Sequence, residues 1–196
     1  LMHGHGEVQA PNFVRDSETL GMPKAKRIAP FPGAPLEPTG NPMVDGVGPA
    51  AWAKRADVPD LTMFGEAKIV PMRVNKHGFD VTPETIDPRG MTVVGCDKKA
   101  AGTIVDLWVD QSESVVRYYE VELKDGGAHI LLPHNFSIIR SKRRQVYVDA
   151  ITSKQFSLVP VTKSPEQITL LEEEKVMAYY GGGTLYATPA RSEPIL

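Results

Sequence analysis

MTVVGCDKKAAGTIVDLWVDQSESVVRYYEVELKDGG, residues Met91 to Gly127, decides the fold. Apolar residues alternate or cluster over the short runs Val93-Val94, Ile104 to Val109 and Val115 to Leu123. Each run ends in a polar turn: Asp97-Lys98-Lys99, then Gln111-Ser112-Glu113-Ser114, then Asp125-Gly126-Gly127. Such runs bounded by turn residues make an antiparallel meander. Within the last run, Val115, Arg117, Tyr119, Val121 and Leu123 share one side, and Val116, Tyr118, Glu120 and Glu122 the other. Neither side is cleanly apolar, which predicts protein on one face and water or a partner on the other.

Outward from this stretch, Lys68 to Val74 reads as the first strand of the same sheet, with Pro71 at an edge or bulge. Asn75 to Gly90 is a polar connection. Downstream, Ala128 to Leu132, Phe136 to Arg140 and Gln145 to Ala150 read as further short strands, the last two joined by the basic turn Ser141-Lys142-Arg143-Arg144. Five or six short strands with tight turns suggest a small, partly closed barrel, since closure removes exposed edges. The period then changes. Thr169-Leu170-Leu171-Glu172 fits the S/T-x-x-E capping box, and Glu172, Glu173 and Glu174 fall where the helix dipole favours negative charge. A helix is expected over about Leu170 to Tyr180, with Gly181-Gly182-Gly183 as its stop. An apolar tail from Leu185 to Ala187 follows.

The first 60 residues hold nine of the 17 prolines. Proline fixes its own φ and pushes its predecessor toward extended conformations, so little helix or sheet is expected there. Phe13, Ile28, Phe31, Leu36, Met43, Val44, Val47 and Trp52 are too apolar for a solvated tail. The segment reads as an extended strap lying on its own domain or on a partner. The expected organisation is a strap over 1–67, a barrel over 68–163, and a helix with its tail over 164–196.

A net charge of -2 gives no global attraction for nucleic acid or an anionic surface. Cys96 is the single cysteine, so no internal disulfide can form, and a cytosolic or cytoplasm-facing location is the default. No run approaches the roughly 18 to 20 apolar residues needed to span a bilayer, and Leu1 to His5 lacks the pattern of a signal peptide.

Asp110 and Glu113 bracket the central turn, with Arg117 four residues on. Two carboxylates and a guanidinium can pass protons, because the cation favours ionisation of one acid while repulsion favours protonation of the other. Spacing alone favours a solvated turn with a surface ion pair. A hydrolytic role for the acids lacks a nucleophile motif, a phosphate loop or a metal cluster beside them. His3 and His5 could hold a divalent ion, but a terminal pair is more often incidental. His77, His129 and His134 are scattered, Cys96 reads as a small buried side chain, and Lys142-Arg143-Arg144 could meet a phospholipid headgroup although a solvated hairpin tip is the simpler reading.

Five separated stretches carry a resemblance: Asn41-Pro42-Met43-Val44-Asp45-Gly46-Val47-Gly48-Pro49-Ala50, Lys68 to Met72, Val105 to Asp110, Glu120 to Gly126, and Thr169 to Lys175. In the same order, from about Leu1 to Ala187, the chain resembles the H subunit of the photosynthetic reaction centre of purple bacteria. The resemblance implies a mainly β fold: a small PRC-type antiparallel β-barrel with an extended Pro-rich N-terminal strap and one C-terminal helix. In the family this is preceded by a transmembrane helix that this sequence lacks. It implies a non-enzymatic, pigment-free cap on the cytoplasmic face of the chromatophore membrane. The partners implied are the L and M subunits, with light-harvesting antenna and lipid headgroups as further neighbours and no nucleic acid. Bacteriochlorophyll, bacteriopheophytin, quinones and non-haem iron are then expected in the partner subunits, and none is expected to be bound directly by this chain. The cap would shield the quinone sites and support proton transfer to the secondary quinone.

By the same resemblance Asp110, Glu113 and Arg117 match members of a proton network. Some family members also carry an Asp/His/His cluster before the Lys-Ile strand, for proton entry and inhibitory metal binding. Here Thr62, Phe64 and Glu66 occupy those positions, so Glu66, with Asp60 nearby, is the remaining titratable candidate and a metal site is doubtful. A general PRC-barrel adaptor docking on another assembly, for example the ribosome, is the alternative, although it predicts neither strap nor terminal helix.

Overall fold

The computed structural model describes residues 11, 23–75, 78–124 and 126–192. Phe13, His3, His5 and His77 fall outside them. The centre is the hairpin of β5 (Ala100–Asp110) and β6 (Val115–Leu123), paired antiparallel from Gly102↔Leu123 to Asp110↔Val115. Its turn closes through Ser114 at φ 55°, a left-handed conformation. Irregularities between Ile104 and Asp106 and between Trp108 and Val109 break the strict alternation of β5. As a result Asp106 to Asp110 are all buried. Tyr118 to Val121 are likewise buried without a gap. Both faces of β6 are therefore covered at its middle, in place of the half-wet strand that the alternation predicts.

The remaining strands are β3 (Ile69–Pro71), β4 (Thr92–Val94), β7 (His129–Pro133), β8 (Ile138–Arg140) and β9 (Gln145–Tyr147). The sheet runs in the order β7-β6-β5-β4-β9-β8, and β3 pairs separately with β5 through Val70↔Val109. All pairings are antiparallel except β4 with β9. Most of these strands are shorter than their apolar runs. Pro71 ends β3, and Met72–Val74 turns into a 3-10 segment, because a proline nitrogen cannot extend the ladder. Phe136, expected to open a strand, instead ends another 3-10 turn, His134–Phe136, and β8 begins at Ile138. The core comprises Val93, Ile104, Leu107, Trp108, Val121, Leu132, Val146, Ile151 and Phe156 from the sheet and its loops, with Val176, Tyr179 and Tyr180 from the helix. Cys96 is half-buried rather than enclosed.

The strap contains more regular structure than its proline content predicts. The short strands Ala25–Arg27 (β1) and Leu36–Pro38 (β2) pair as a hairpin. Asn41 then caps the one-turn helix α1 (Pro42–Asp45), its Oδ1 accepting from Met43 N at 3.1 Å. Residues 42–60 pack on the protein's own C-terminal helix, with Leu170 N donating to Val58 O and Leu171 N to Ala56 O. Lys175 Nζ sits 4.7 Å over the Trp52 ring. Ile28, Phe31, Leu36, Val44 and Trp52 remain exposed along the strap.

That helix, α2 (Leu170–Tyr186), begins where the capping box places it: Thr169 Oγ1 accepts from Glu172 N at 3.1 Å, and Glu172 Oε2 accepts from Thr169 N at 2.9 Å. It does not stop at the three glycines. Gly182 and Gly183 are buried inside it, against Ala50 and against the backbone of Ala150 respectively. There glycine permits close approach, rather than terminating the helix. Thr169→Ala removes one side of the cap and should cost about 1 kcal/mol of unfolding free energy, read as a shift in urea midpoint at constant slope. Among the described residues no helix is long and apolar enough to cross a membrane.

Candidate functional site

The turn after β5 folds around a buried carboxylate. Asp110 Oδ1 accepts from the backbone amides of Ser112 at 3.0 Å and Glu113 at 3.1 Å, an Asx-type closure of the turn. Its other oxygen, Oδ2, faces Arg117 Nη2 at 3.2 Å and Lys68 Nζ at 3.6 Å. The Asp110 side chain is 1 % exposed, so these donors replace the water it has lost. Glu113, about half exposed, receives Arg117 Nη2 at 2.6 Å and lies 3.9 Å from Lys68 Nζ. Asp60 Oδ2 completes the group, 3.6 Å from the same ammonium.

Four of the five residues singled out from the sequence, Asp60, Asp110, Glu113 and Arg117, thus meet at one point. Lys68, read only as the start of a strand, is the hub that joins three of the acids. Its position follows from β3 pairing with the end of β5, where Lys68 O accepts from Gln111 N at 2.9 Å. No local sequence pattern links residue 68 to residue 110. Glu66 lies elsewhere, lining a separate recess of about 320 Å³ with Ala67, Val70, Val74 and Gln111. The Thr62 Oγ1 next to it accepts from Phe64 N and Glu66 N at 3.3 Å each, so that this turn is built by the threonine, with Phe64 at its exposed tip.

The charge cluster opens on a cleft of about 530 Å³, whose far wall is α2. Glu173 looks into it and accepts a hydrogen bond from Tyr118 Oη at 2.9 Å. Burial raises the affinity of Glu173 for a proton, and the nearby charge of Asp60 adds to this. Burial, together with Glu173, also pushes the Tyr118 phenol well above its ordinary range. In sequence Glu173 is one of three glutamates in a first helical turn. Glu172 is spent on the cap and Glu174 pairs with Arg55 at 3.3 Å, leaving Glu173 turned toward the sheet.

The raised proton affinity of Glu173 in the folded state has a measurable consequence. A carboxyl whose folded pKa lies above its unfolded value binds more protons when folded, so stability falls as pH rises from the unfolded value to the folded one. Glu173→Gln should flatten that part of the stability-pH curve and raise stability on its alkaline side. Urea midpoints measured across the acid-to-neutral range check it; an unaltered slope would contradict it.

A second polar group sits in the barrel wall. Glu120 accepts from Trp108 Nε1 at 2.9 Å, lies 2.6 Å from His129 Nδ1 and is bridged by Arg73 to Asp106. Burial alone would raise the Glu120 pKa, but these hydrogen bonds together hold it below the usual range. Every oxygen there has a partner, and Arg73 also ties the wall to Pro165 O. Its evident work is to hold β5, β6 and the 165 segment together.

Two family models match the chain. Photosynthetic reaction centre, H-chain N-terminal region, matches residues 1–74. PRC-barrel domain matches residues 86–155. The first covers the strap, Asp60 and Lys68; the second covers β4 to β9 and the turn bearing Asp110, Glu113 and Arg117. The charge cluster is therefore assembled across the two matched regions, with Glu173 supplied from beyond both.

Proposed function

Since the chain belongs to the photosynthetic reaction centre H-chain family, pigment-free subunits of a light-driven membrane complex, we propose that it caps the L and M subunits on their cytoplasmic side and handles protons for the secondary quinone. In this reading the strap and the exposed apolar residues along it meet the partner subunits, the barrel is the mount, and the α2 helix closes the cleft beside the acids. The three-part division into strap, barrel and helix with tail belongs to the same proposal. Quinone reduction in the partner subunits consumes two protons, which buried sites receive only through titratable groups or water.

The observation that carries the proposal is the convergence of Asp60, Asp110 and Glu113 on Lys68 and Arg117, beside a glutamate whose proton affinity is raised. Asp60, Asp110 and Glu113 all lie within about 4 Å of the Lys68 ammonium, so a change of charge at one of them is felt at the others through that cation. Asp110 is fixed by backbone amides and two cations and serves as anchor. Glu113, half exposed on the same arginine, has the freedom to swing and serves as carrier. Glu173, whose proton affinity is raised by burial, stands beside them as a further acceptor, and Asp60 with Lys68 forms the outer margin. Glu66, off the cluster, is assigned to surface proton capture in the place where some family members carry histidines.

Co-purification tests the assembly part. The chain, with a family-type membrane segment fused upstream, should be retained by bacteriochlorophyll-bearing L and M subunits. Retention by ribosomal components instead would favour a general adaptor role.

A further inference from the structure

The β8–β9 hairpin carries Arg140, Lys142, Arg143 and Arg144 on a tip closed by the 3-10 turn Ser141–Arg143 and by Arg144 at φ 47°. All four are exposed. The backbone is pinned, with Arg144 N donating to Ser141 O at 2.9 Å and Arg144 O accepting from Thr92 N at 3.2 Å. The side chains are not. Arg140 lies 4.2 Å over the Tyr147 ring, while Lys142, Arg143 and Arg144 have no ion pair or side-chain hydrogen bond among the described residues. Elsewhere Arg55, Arg73, Arg89, Arg117 and Arg191 each hold a carboxylate. In a chain of net charge -2, this tip is a concentrated and uncompensated positive patch.

We propose that the 140–144 hairpin tip docks on the anionic phospholipid surface of a bilayer. Apart from Arg140 on its Tyr147 ring, these long flexible cations have no groove, carboxylate partner or stacked aromatic and do not make a shaped pocket for one ligand. They suit a laterally mobile layer of negative headgroups, which needs none. Ile138, 57 % exposed on the edge strand that leads into the tip, adds an apolar contact beside the charges. The register supports the direction. β4 runs antiparallel to β5, and the tip lies off the Thr92 end of β4 (Thr92↔Gln145), toward which β5 runs on to Asp110. The tip and the acid cluster thus lie toward the same end of the strands, the end that the proposed function turns to the membrane complex; in this orientation the inference rests on that reading. The simpler alternative, a charged tip that only protects the open edge of β8, predicts no preference for anionic lipid.

Sedimentation of the full chain with phosphatidylglycerol-containing vesicles, against vesicles of phosphatidylcholine alone, tests it at about 0.15 M salt. Each basic residue near an anionic surface strengthens binding about five-fold, so Lys142→Gln, Arg143→Gln and Arg144→Gln together should weaken it roughly 100-fold. The matched triple variant Lys98→Gln, Lys99→Gln and Lys124→Gln, at the opposite end of the strands, makes the same change in net charge and should bind like the unaltered chain. The proposal is overturned by equal binding to both vesicles, by an equal loss in the matched variant, or by no loss in the hairpin variant. It is overturned too if the hairpin substitutions weaken binding only to detergent-solubilised L and M. Because the tip touches no member of the acid cluster, the hairpin variant should leave the second electron transfer unchanged, so that a failure here is separable from a failure of the proton-handling role.

Discussion

Glu113→Gln should slow the second electron transfer to the secondary quinone about ten-fold in complexes assembled with L and M, and the Asp110→Asn/Glu113→Gln double variant about 100-fold or more. A positioned acid or base typically accounts for 10²- to 10⁴-fold in a proton-transfer step, and removing one of several parallel carriers loses part of that. The single substitution keeps the size of the side chain and its acceptor oxygen toward Arg117, so the turn is retained while the titrating group is lost. Asp110→Asn carries a second cost, since Lys68 and Arg117 then face a neutral amide in a site 1 % exposed. The first electron transfer, which consumes no proton, supplies the internal control and should be unchanged. Equal second-transfer rates in the unaltered, single and double variants would remove the acids from the mechanism.

The second large effect is on stability. Gly183→Ala should destabilise the protein by about 2 kcal/mol or more, Gly182→Ala by about 1 kcal/mol, and Gly181→Ala hardly at all. In a helix interior alanine is favoured over glycine by about 1 kcal/mol, so propensity alone predicts three gains. Packing reverses the sign. A Cβ on Gly183 would stand 2.3 Å from Ala150 O and 2.5 Å from Ile151 Cγ2, in the body of the barrel. One on Gly182 would stand 2.5 Å from Ala50 Cβ, on the more yielding strap. One on Gly181 meets only Pro49 O, at 3.2 Å. Urea unfolding of the three variants gives the order directly. A Gly183→Ala protein as stable as the parent would mean that α2 does not lie this close to the barrel.

These glycines also show where sequence reasoning stops. The capping box at Thr169 is a local chemical code, and it placed the start of α2 correctly. Three consecutive glycines are read locally as a stop, because the reason for them is a surface more than 100 residues away in the chain for Gly182 and about 30 away for Gly183. The meander was legible from alternation and turns, and the β5–β6 hairpin forms as read. Its continuous burial from Asp106 to Asp110 was not, because it depends on bulges and on the Met72–Val74 and Ser153–Leu158 turns that pack on β5 from elsewhere in the chain. The strap's β1–β2 hairpin and α1 escaped notice because proline-rich composition speaks of average tendency, whereas Asn41 ahead of Pro42 is a single cap.

The acid cluster divides in the same way. Asp110, Glu113 and Arg117 lie on one turn, and their spacing brings them together whatever the rest of the chain does. Asp60 was reached from the resemblance, and it joins them through Lys68. Lys68 and Glu173 were invisible as site residues because one is delivered by strand pairing and the other by helix docking. Glu66 was placed by correspondence to a family position and stands apart, since the turn it occupies is organised by Thr62.

Flash-induced proton uptake tests the relay most directly, measured with L and M alone, with the unaltered chain added, and with the Asp110→Asn/Glu113→Gln variant added. The expected result is fast uptake only with the unaltered chain, the variant performing no better than L and M alone although it binds them equally well. Uptake by the variant at the unaltered rate would contradict a proton-handling role for these acids and leave the subunit as a cap without a relay.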